Sequence, residues 1–356
     1  MVKTAVCLKV PKKKGETAIV LASKLGLLDK SLKIQRDSDS LCIPMVRQPF
    51  EDELAALNSQ VSDYQLETRA FAEKPSAAGT VLQTLEDKLP PHLLAILPQA
   101  LDIVGDIAIV EVPPELKPHE KLLGEAILQT HKNVRTVLAK AGAVGGTFRL
   151  REFAFIAGER RTQTVHCEFS CQFHVDVAKA YFSPRLSHEH MRVAMQVQPG
   201  ETVVDLFAGV GPFSVLIGKK QADVRVYAVD INPEAVELLK VNVRVNRVEN
   251  RVFPAQADAR QIATAQLKGS ADRVIMNLPE TAIDFVDAAC LAVKPQGGII
   301  HFYAFARSPD SMEKQKLRFA EAVKDAGRRV ESFLCARSVR ETAPYESQIV
   351  LDAKIT

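Results

Sequence analysis

The sequence of 356 residues carries a formal net charge of +3, and 47% of its residues are hydrophobic. This length accommodates two or three domains with cores of their own, which excludes a small disulfide-stapled fold. We find no uncharged apolar run of about 18 residues, and the opening segment turns basic too early for a signal peptide. We therefore predict a cytoplasmic protein with no membrane partner, and we expect any binding of nucleic acid to depend on local charge.

The six cysteines do not form a disulfide framework or a zinc ribbon. Only Cys167 and Cys171 lie close together along the chain, and a zinc ribbon requires a second such pair. We therefore predict reduced thiols and no metal site.

Two small α/β domains are predicted in the first half of the chain. Residues 1–70 contain a helical pattern, "ETAIVLASKLGLLD", and a strand candidate, "SLCIPMV". The segment 71–80, "FAEKPSAAGT", has the composition of a linker. In the second domain, residues 71–172, the strand candidates "DIVGDIAIVEV", "RTVLAKAG" and "REFAFIAG" surround one amphipathic helix, "HEKLLGEAILQTH".

The third domain, residues 173–356, shows apolar strands that alternate with helices. The strand candidates are "ETVVDLF", "RVYAVDI", "DRVIMNL" and "GGIIHFYAF", with helical stretches such as "PEAVELLKVNVRVN" between them. This alternation predicts an α/β fold with a doubly wound, mostly parallel sheet.

The stretch "VVDLFAGVGPFS", residues 203–214, predicts a cofactor loop between a buried strand and a helix. Small residues there allow close approach of a ligand to the backbone. The dinucleotide fingerprint G-x-G-x-x-G is broken, because Ser214 stands at its third glycine and Pro212 removes one N–H donor. A ligand without phosphates is therefore favoured, and S-adenosylmethionine is such a ligand.

Polar residues also follow the next two predicted strands, where they could bind the ribose and then the base of a nucleoside. Asp230 comes 25 residues after Asp205, where a carboxylate can accept both ribose hydroxyls. Asp258 lies where an adenine amino group could be bound, and Asn232 is a helix start. Each acidic residue on its own could equally be a cap or a turn residue.

The fourth strand ends in Asn277, Leu278 and Pro279. An asparagine amide offers donors and an acceptor, so it can hold the edge of a nucleobase or position the reacting nitrogen. The alternative interpretation is a turn asparagine before proline.

A further segment, "VDVAKAYFSPRLSHEHMRVA", combines an aromatic pair, a Pro-Arg turn and Glu189 at a helix start. Together with "CLKVPKKKGE", "GTFRLREFAFIAGERRTQTVH", "VVDLFAGVGPFS", "YAVDINPEAVELLKVNV" and "DRVIMNLP", it resembles the archaeal and eukaryotic tRNA (guanine-37, N1)-methyltransferase family. The resemblance covers nearly the whole chain and is strongest to the archaeal three-domain form. It implies a class I, Rossmann-like methyltransferase domain after two smaller α/β domains, S-adenosylmethionine as cofactor, tRNA with G37 as partner, and a monomer.

The resemblance also implies roles for individual residues. Arg149 matches the arginine that contacts the target guanine, Glu189 matches the general base, and Asn277 matches a catalytic contact to the base. Tyr181 and Pro279 match positions that shape the guanine pocket. The positions that match the cofactor site are Asp205, Phe207, Gly209, Gly211, Asp230, Asp258 and Asn277. Glu280 follows the last motif and receives no role.

These residue types suit the chemistry. N1 of guanine carries a proton at neutral pH, so a base such as Glu189 must remove it before N1 can attack a sulfonium methyl. Negative charge then grows on O6, where the Arg149 guanidinium would stabilise the transition state. Arg151 is the nearest rival for that role.

The resemblance assigns the first domain to the tRNA elbow and the other two domains to the anticodon arm. Alternative functions at the same tRNA position are an aminocarboxypropyl transfer in the wybutosine pathway and a second methylation of a modified guanine. A non-catalytic tRNA-binding scaffold is the alternative of a different class, and Asp230, Asn277 and Glu189 argue against it.

Overall fold

The chain folds into two compact units, Met1–Thr84 and Leu85–Thr356. The computed structural model describes residues 2–37, 39–61, 63–72, 79–142, 145–146, 148–307, 311–343 and 345–356. Most of the linker predicted at 71–80 lies outside the described residues. None of the described helices is both long and apolar enough to cross a membrane.

The first unit is a four-stranded antiparallel sheet with two helices. Its elements are β1 (Val2–Pro11), α1 (Gly15–Lys24), β2 (Gln35–Arg36), β3 (Ser40–Pro44), α2 (Glu51–Gln60) and β4 (Gln65–Ala72), and the strand order is β2-β3-β1-β4. Successive residues of a strand point to opposite faces. Leu8 therefore packs with Leu21 of α1 and Leu57 of α2, whereas Cys7 packs with Cys42 on the other face.

The second unit begins with a mixed sheet and a separate hairpin. Its first elements are α3 (Val81–Leu85), which spans the boundary, α4 (Pro91–Leu94), β5 (Leu101–Val104), β6 (Ile107–Val110), α5 (Glu120–Thr130), β7 (Thr136–Lys140), β8 (Phe153–Gly158), β9 (Gln163–Glu168) and β10 (Cys171–Asp176). The strand order is β5-β6-β7-β8, with only β6 and β7 parallel, and β9 pairs with β10.

The remainder of the second unit is a seven-stranded sheet with helices on both faces. Its elements are α6 (Ser187–Ala194), β11 (Glu201–Asp205), α7 (Pro212–Lys220), β12 (Val224–Asp230), α8 (Pro233–Val245), β13 (Val252–Gln256), α9 (Ala259–Ala265), β14 (Arg273–Met276), α10 (Val286–Ala292), β15 (Gly298–Arg307), α11 (Ser311–Asp325), β16 (Val330–Ala343) and β17 (Glu346–Ile355). The strand order is β13-β12-β11-β14-β15-β17-β16. Strands β11 to β15 are parallel, and the two pairs that involve β17 are antiparallel.

This sheet has a core on each face, because alternate strand residues point in opposite directions. Val203 packs with Leu239 of α8 in one core, and Val204 packs with Ile262 of α9 and Phe319 of α11 in the other. The predicted α/β class and the doubly wound, mostly parallel sheet are confirmed. The strand order reverses between β11 and β14, and in such sheets ligands bind at the carboxyl ends beside that point.

One predicted strand is a hairpin instead. The run "DIVGDIAIVEV" forms β5 and β6, which turn at Gly105. Gly105 has a φ of +58°, and a Cβ there would come within 2.2 Å of Thr164 Oγ1. Glycine permits this reversal of the chain where other residues would be strained, and the apolar pattern alone does not mark it.

Candidate active site

A cavity of about 480 Å³ in the second unit gathers the segments that follow β11, β12, β13 and β14. This volume is typical of sites for small molecules, which occupy roughly 300–1,000 Å³. The predicted site residues that line the cavity are Arg149, Tyr181, Phe207, Gly209, Asp230, Asp258, Asn277 and Pro279. Glu189, Asp205 and Gly211 do not line it.

The glycine turn is built by local backbone geometry. Gly209 has a φ of +55° and Gly211 a φ of +88°, in the left-handed region that favours glycine. A Cβ at Gly211 would come within 2.2 Å of Leu239 Cδ1, so α8 can pack closely here only against glycine. The Gly209 N–H donates a 2.7 Å hydrogen bond to Asp230 Oδ2, which ties the turn to the end of β12.

Asp230 and Asp258 stand at successive strand ends but have different surroundings. Asp230 also accepts a 2.9 Å hydrogen bond from the Asn232 N–H through Oδ1. Burial raises the pKa of Asp230, and the backbone hydrogen bonds oppose that rise. Asp258 caps α9, where its Oδ1 accepts bonds of 2.9 and 3.1 Å from two backbone amides. Both carboxylates nevertheless line the cavity.

Asp205 lies beneath the turn rather than in the cavity wall. Its side chain is 0% exposed, and Oδ2 accepts a 2.8 Å hydrogen bond from Ser214 Oγ. Its Oδ1 has no partner among the described residues. Burial raises the pKa of Asp205 to about 7. Asp205 therefore stabilises the turn from below and does not line the cavity.

Aromatic and aliphatic side chains form the apolar walls of the cavity. Phe207 and Phe285 meet edge to face with ring centroids 5.2 Å apart, and Ile231 and Leu278 also line the cavity. An apolar slot beside the Asp230 carboxylate fits the flat base and the ribose of a nucleoside.

Arg149 reaches the cavity from the loop that precedes β8. Its φ is +53°, an uncommon conformation for a residue other than glycine. Its guanidinium forms an ion pair with Glu280, which follows the Asn277-Leu278-Pro279 motif. The structure thus places Glu280, to which sequence reasoning gave no role, as the partner that holds Arg149 at the cavity.

Glu189 is 2% exposed and is held by one side chain of its own helix and by two from distant parts of the second unit. Arg192, one turn later on α6, donates bonds of 2.8 and 2.6 Å to Oε1, and the Tyr303 hydroxyl donates a 2.8 Å bond to the same oxygen. Arg337 of β16 donates to Oε2. Burial, together with the Glu189 charge, raises the pKa of Tyr303 well above its ordinary value, so Tyr303 stays a donor.

Arg192 links Glu189 to buried polar residues of the core. It donates to Asp352 as well as to Glu189, and Asp352 is also bonded to His301 at 2.6 Å. Burial would raise the pKa of Asp352, but the bonds from His301 and Arg192 hold that pKa well below its ordinary value. The guanidinium of Arg192 is therefore fixed between two carboxylates.

His190 is the cavity-lining neighbour of Glu189. It is 1% exposed, and its Nδ1 lies 2.8 Å from Glu168 Oε2. Its ring meets Phe213 edge to face at 4.6 Å. His190 thus places an imidazole in the cavity wall, and sequence reasoning did not select it.

A hydrogen-bonded wall supports Asn277. The Gln348 amide donates to Asn277 Oδ1 at 3.3 Å, and Arg340 donates to Gln348 Oε1 at 2.9 Å. Arg340 also donates to Ser183 Oγ at 2.9 Å and to the Tyr181 hydroxyl at 3.2 Å. Arg340 and Gln348 face each other on β16 and β17, far from the motifs in sequence, so no sequence signal marks them.

A second cavity of about 340 Å³ shares Arg149, Tyr181 and Phe182 with the first. The basic residues that line it are Lys140, Arg149, Arg151, Arg185 and Arg340. Asp102 and Glu341 also line this cavity, so basic side chains are in excess there by three. An excess of basic side chains beside aromatic ones suits contacts to nucleic-acid phosphates.

Comparison with known proteins agrees with this arrangement. A family model described as the TRM5/TYW2 methyltransferase domain matches residues 164–331, and those described as the TYW2 N-terminal domain and the tRNA methyltransferase 5 N-terminal domain match residues 81–162 and 7–53. The tRNA (guanine(37)-N(1))-methyltransferase Trm5b of Pyrococcus abyssi is 39% identical over 348 residues, which cover 98% of each chain. The chain belongs to the Trm5 family.

Solved structures extend this family likeness to the fold. The complex of aTrm5 with tRNALeu matches with a TM-score of 0.72 at 33% identity, over 99% of this chain and 100% of that one. Methanocaldococcus jannaschii TYW2 in complex with AdoMet matches with a TM-score of 0.56 at 27% identity, over 72% of this chain and 99% of that one. The predictions of the family and of a Rossmann-like methyltransferase fold are confirmed.

One similar protein carries a name that states a substrate other than guanosine 37. The tRNA 4-demethylwyosine(37)-methyltransferase Taw21 of Saccharolobus solfataricus is 36% identical over 256 residues, which cover 71% of this chain and 93% of that protein.

Proposed function

We propose that this protein transfers a methyl group from S-adenosylmethionine to N1 of guanosine 37 in tRNA. The observation that carries the proposal is the cavity that brings Arg149, Asn277 and Asp230 together in a chain matching Trm5b over nearly its whole length. The names of the Trm5b relatives and the complex of aTrm5 with tRNA support this reaction and substrate. Relatives crystallised with AdoMet or adenosine support the cofactor.

The cavity residues divide between the two substrates. The glycine turn would receive the methionine end of the cofactor, Asp230 its ribose hydroxyls, and Asp258 its adenine amino group. Asp205 and Gly211, which do not line the cavity, would act by fixing the shape of the turn. The bound cofactor supplies a methyl group already activated by a positive sulfur, so the transfer needs no metal.

Glu189 is the proposed general base. Its neighbours on the chain, Leu186 and His190, line the cavity, although Glu189 itself does not. Arg192 and Tyr303 hold Oε1, whereas Oε2 is bonded to Arg337, which is 42% exposed. The guanine N1–H would therefore take the place of Arg337 at Oε2, while the other two partners keep the carboxylate aligned.

Arg149 and Asn277 are the proposed contacts to the guanine. As N1 loses its proton, negative charge grows on O6, and a guanidinium aimed at O6 stabilises that transition state more than the ground state. Arg149 is engaged by Glu280, so the guanine would compete with that ion pair. Asn277 is oriented through Gln348 and can hold the base edge. Tyr181 and Pro279 would close the pocket around a base that has left the stack.

Label transfer tests this proposal directly. Methyl-labelled S-adenosylmethionine is incubated with a tRNA transcript that carries G37 and with the same transcript that carries A37. We expect transfer to the G37 transcript only, with N1-methylguanosine in the digest. Equal labelling of both transcripts, or a different methylated nucleoside, would refute the assignment of the target atom.

A second candidate function is methylation of a modified guanine at the same position. The 36% identity to Taw21 favours it, because a base pocket need differ only slightly to admit a tricyclic base. Mass analysis of tRNA that carries 4-demethylwyosine at position 37 separates this reaction from aminocarboxypropyl transfer, since the added groups differ in size.

For the first unit we propose a role in checking overall tRNA shape, which the match to the tRNA methyltransferase 5 N-terminal domain supports. Deletion of residues 1–70 is expected to weaken discrimination of intact tRNA from an anticodon stem-loop while cofactor binding persists. Loss of cofactor binding in a folded truncation would contradict this role. The domain boundaries at 70 and 172, the cytoplasmic location and the monomeric state stay predictions.

A further inference from the structure

The sheet of the first unit holds a cluster of two thiols and a carboxylate that the reaction does not use. Cys7 lies on the central strand β1, directly opposite Glu67 of β4. Cys42 lies on β3, opposite Lys9, which is two residues beyond Cys7 on the same face. Cys7 and Cys42 are both 0% exposed. Three separate strands thus bring these side chains to one spot on the sheet face that the helices leave free.

The spacing of the three groups matches a metal site. One ligand atom from each of Cys7, Cys42 and Glu67 lies within 4.8 Å of the other two. Cys42 Sγ is 3.6 Å from Glu67 Oε1. Zinc bonds of about 2.3 Å to sulfur and about 2.0–2.2 Å to oxygen place neighbouring tetrahedral ligand atoms roughly 3.5–3.8 Å apart. Small side-chain adjustments would therefore suffice to close a tetrahedron.

We propose that Cys7, Cys42 and Glu67 form a binding site for a thiophilic divalent cation of the Zn²⁺ type. Two sulfur donors with one carboxylate select such a cation over Mg²⁺ or Ca²⁺, which take oxygen ligands. Asp37 is outside this group of mutually close ligand atoms, but its Oδ2 lies 3.9 Å from Cys42 Sγ, so movement of its side chain would supply the fourth ligand.

Arg69 balances the charge of this site. Its Nη1 lies 3.3 Å from Cys42 Sγ and 3.0 Å from Asp37 Oδ2, and its Nε lies 3.3 Å from Glu67 Oε1. Two thiolates and the carboxylates of Glu67 and Asp37 carry four negative charges. A divalent cation, the Arg69 guanidinium and Lys9, whose Nζ lies 3.8 Å from Glu67 Oε2, neutralise them. Hydrogen bonds from such a neighbour orient metal ligands and tune their donor strength.

Binding exchanges protons for the cation. Cysteine ligates a metal as the thiolate, so each protonated thiol releases its proton as its metal–sulfur bond forms. The 31% exposed Glu67 side chain gives the cation a path from solvent.

Such a site would stabilise the first unit. It would join β1, β3 and β4 at one point, and small domains with limited cores gain most from a bound metal. Because the site needs folded strands to assemble, the free energy of binding adds to the free energy of folding.

Cobalt binding by the untagged full-length protein tests the proposal. Co²⁺ in a thiolate site gives sulfur-to-metal charge-transfer absorption that oxygen ligands do not give. We expect one equivalent of Co²⁺ with this absorption, displaced by Zn²⁺, in the wild type and in the control Cys167→Ser, which changes an exposed thiol of the second unit. Cys7→Ser and Cys42→Ser should each lose most of the absorption.

Glu67→Gln keeps the proposal testable if the buried cysteine variants fail to fold, because this side chain is partly exposed. It should lower Co²⁺ affinity by about tenfold or more while circular dichroism is unchanged. No charge-transfer band in the reduced wild type would overturn the proposal. So would equal Co²⁺ binding by wild type and all three variants, or a Cys7–Cys42 disulfide found in protein purified with reductant.

Discussion

The two ends of the active-site cavity are built in opposite ways. At the end proposed for the cofactor, the turn from Asp205 to Gly211 and the strand end at Asp230 come from one continuous stretch, tied by a backbone-to-carboxylate bond. At the end proposed for the base, Glu189 lies behind the cavity wall. It is held by Arg192 on its own helix but also by Tyr303 and Arg337, which are more than 100 residues away.

This difference separates two ways of making a precise site. A turn fixed by glycine conformations needs few partners, so its function depends on backbone geometry that a single Cβ can disturb. A buried carboxylate needs charged partners to offset its loss of hydration, so its geometry depends on several elements packing together. Substitutions at the two ends should therefore affect different properties: the rate of methyl transfer at one end and cofactor affinity at the other.

Glu189→Gln should have the largest effect, because it removes the proposed base. We expect the single-turnover rate of methyl transfer to fall by about 10²- to 10⁴-fold, with cofactor affinity within about twofold of the wild type because the cofactor end is independent. The matched comparison is His190→Gln at the next position. If that variant is inactive while Glu189→Gln retains its rate, His190 is the base.

Arg149→Ala comes next. Loss of a group that stabilises charge on O6 should lower the rate by about 10²- to 10³-fold, again without loss of cofactor binding. Arg151→Ala, which alters the rival arginine of the same loop, is the control and should mainly weaken tRNA binding. A larger rate loss in Arg151→Ala than in Arg149→Ala would reverse the two assignments.

Gly211→Ala tests the cofactor end. A Cβ would clash with Leu239 at a φ of +88°, and such strain costs about 1–3 kcal/mol, or roughly 5- to 150-fold in cofactor affinity if the turn shifts. Gly327→Ala is the control, because its φ is +77° but nothing lies within 4 Å of the added Cβ. Similar cofactor affinity in both variants would show that the turn tolerates the contact. Calorimetric titration with S-adenosylmethionine measures both.

Among these variants, Asp205→Asn should change activity least, but it should clearly change how the stability of the fold depends on pH. Burial raises the folded-state pKa from 3.8 to about 7, so between these values the folded protein keeps a proton that the unfolded chain has lost. Stability from this group is therefore lost as pH rises, by at most about 4 kcal/mol. An asparagine resembles the protonated form, so the Tm of the variant relative to wild type should rise from pH 4 to pH 7. A Tm difference that is constant over this range would contradict the raised pKa.

The sequence signals for the glycine turn and the strand ends beside it are local. The strand before Asp205, the broken glycine fingerprint and the carboxylates at Asp230 and Asp258 all depend on short spacing. The structure places Gly209 and these last two residues around the cavity, while their proposed contacts to the cofactor await the measurements above. The hairpin at Gly105 was missed, since an apolar run does not reveal where a chain must reverse.

What the sequence by itself determined was the doubly wound fold, the family and the order of polar residues along the strand ends, since periodicity and motifs are properties of neighbouring residues. What only the tertiary structure decided was which distant side chains meet. Glu280 beside Arg149, Arg337 beside Glu189, and Cys7 beside Cys42 are each separated by long stretches of chain. The tertiary arrangement of strands, helices and loops sets those contacts, and no local pattern encodes them.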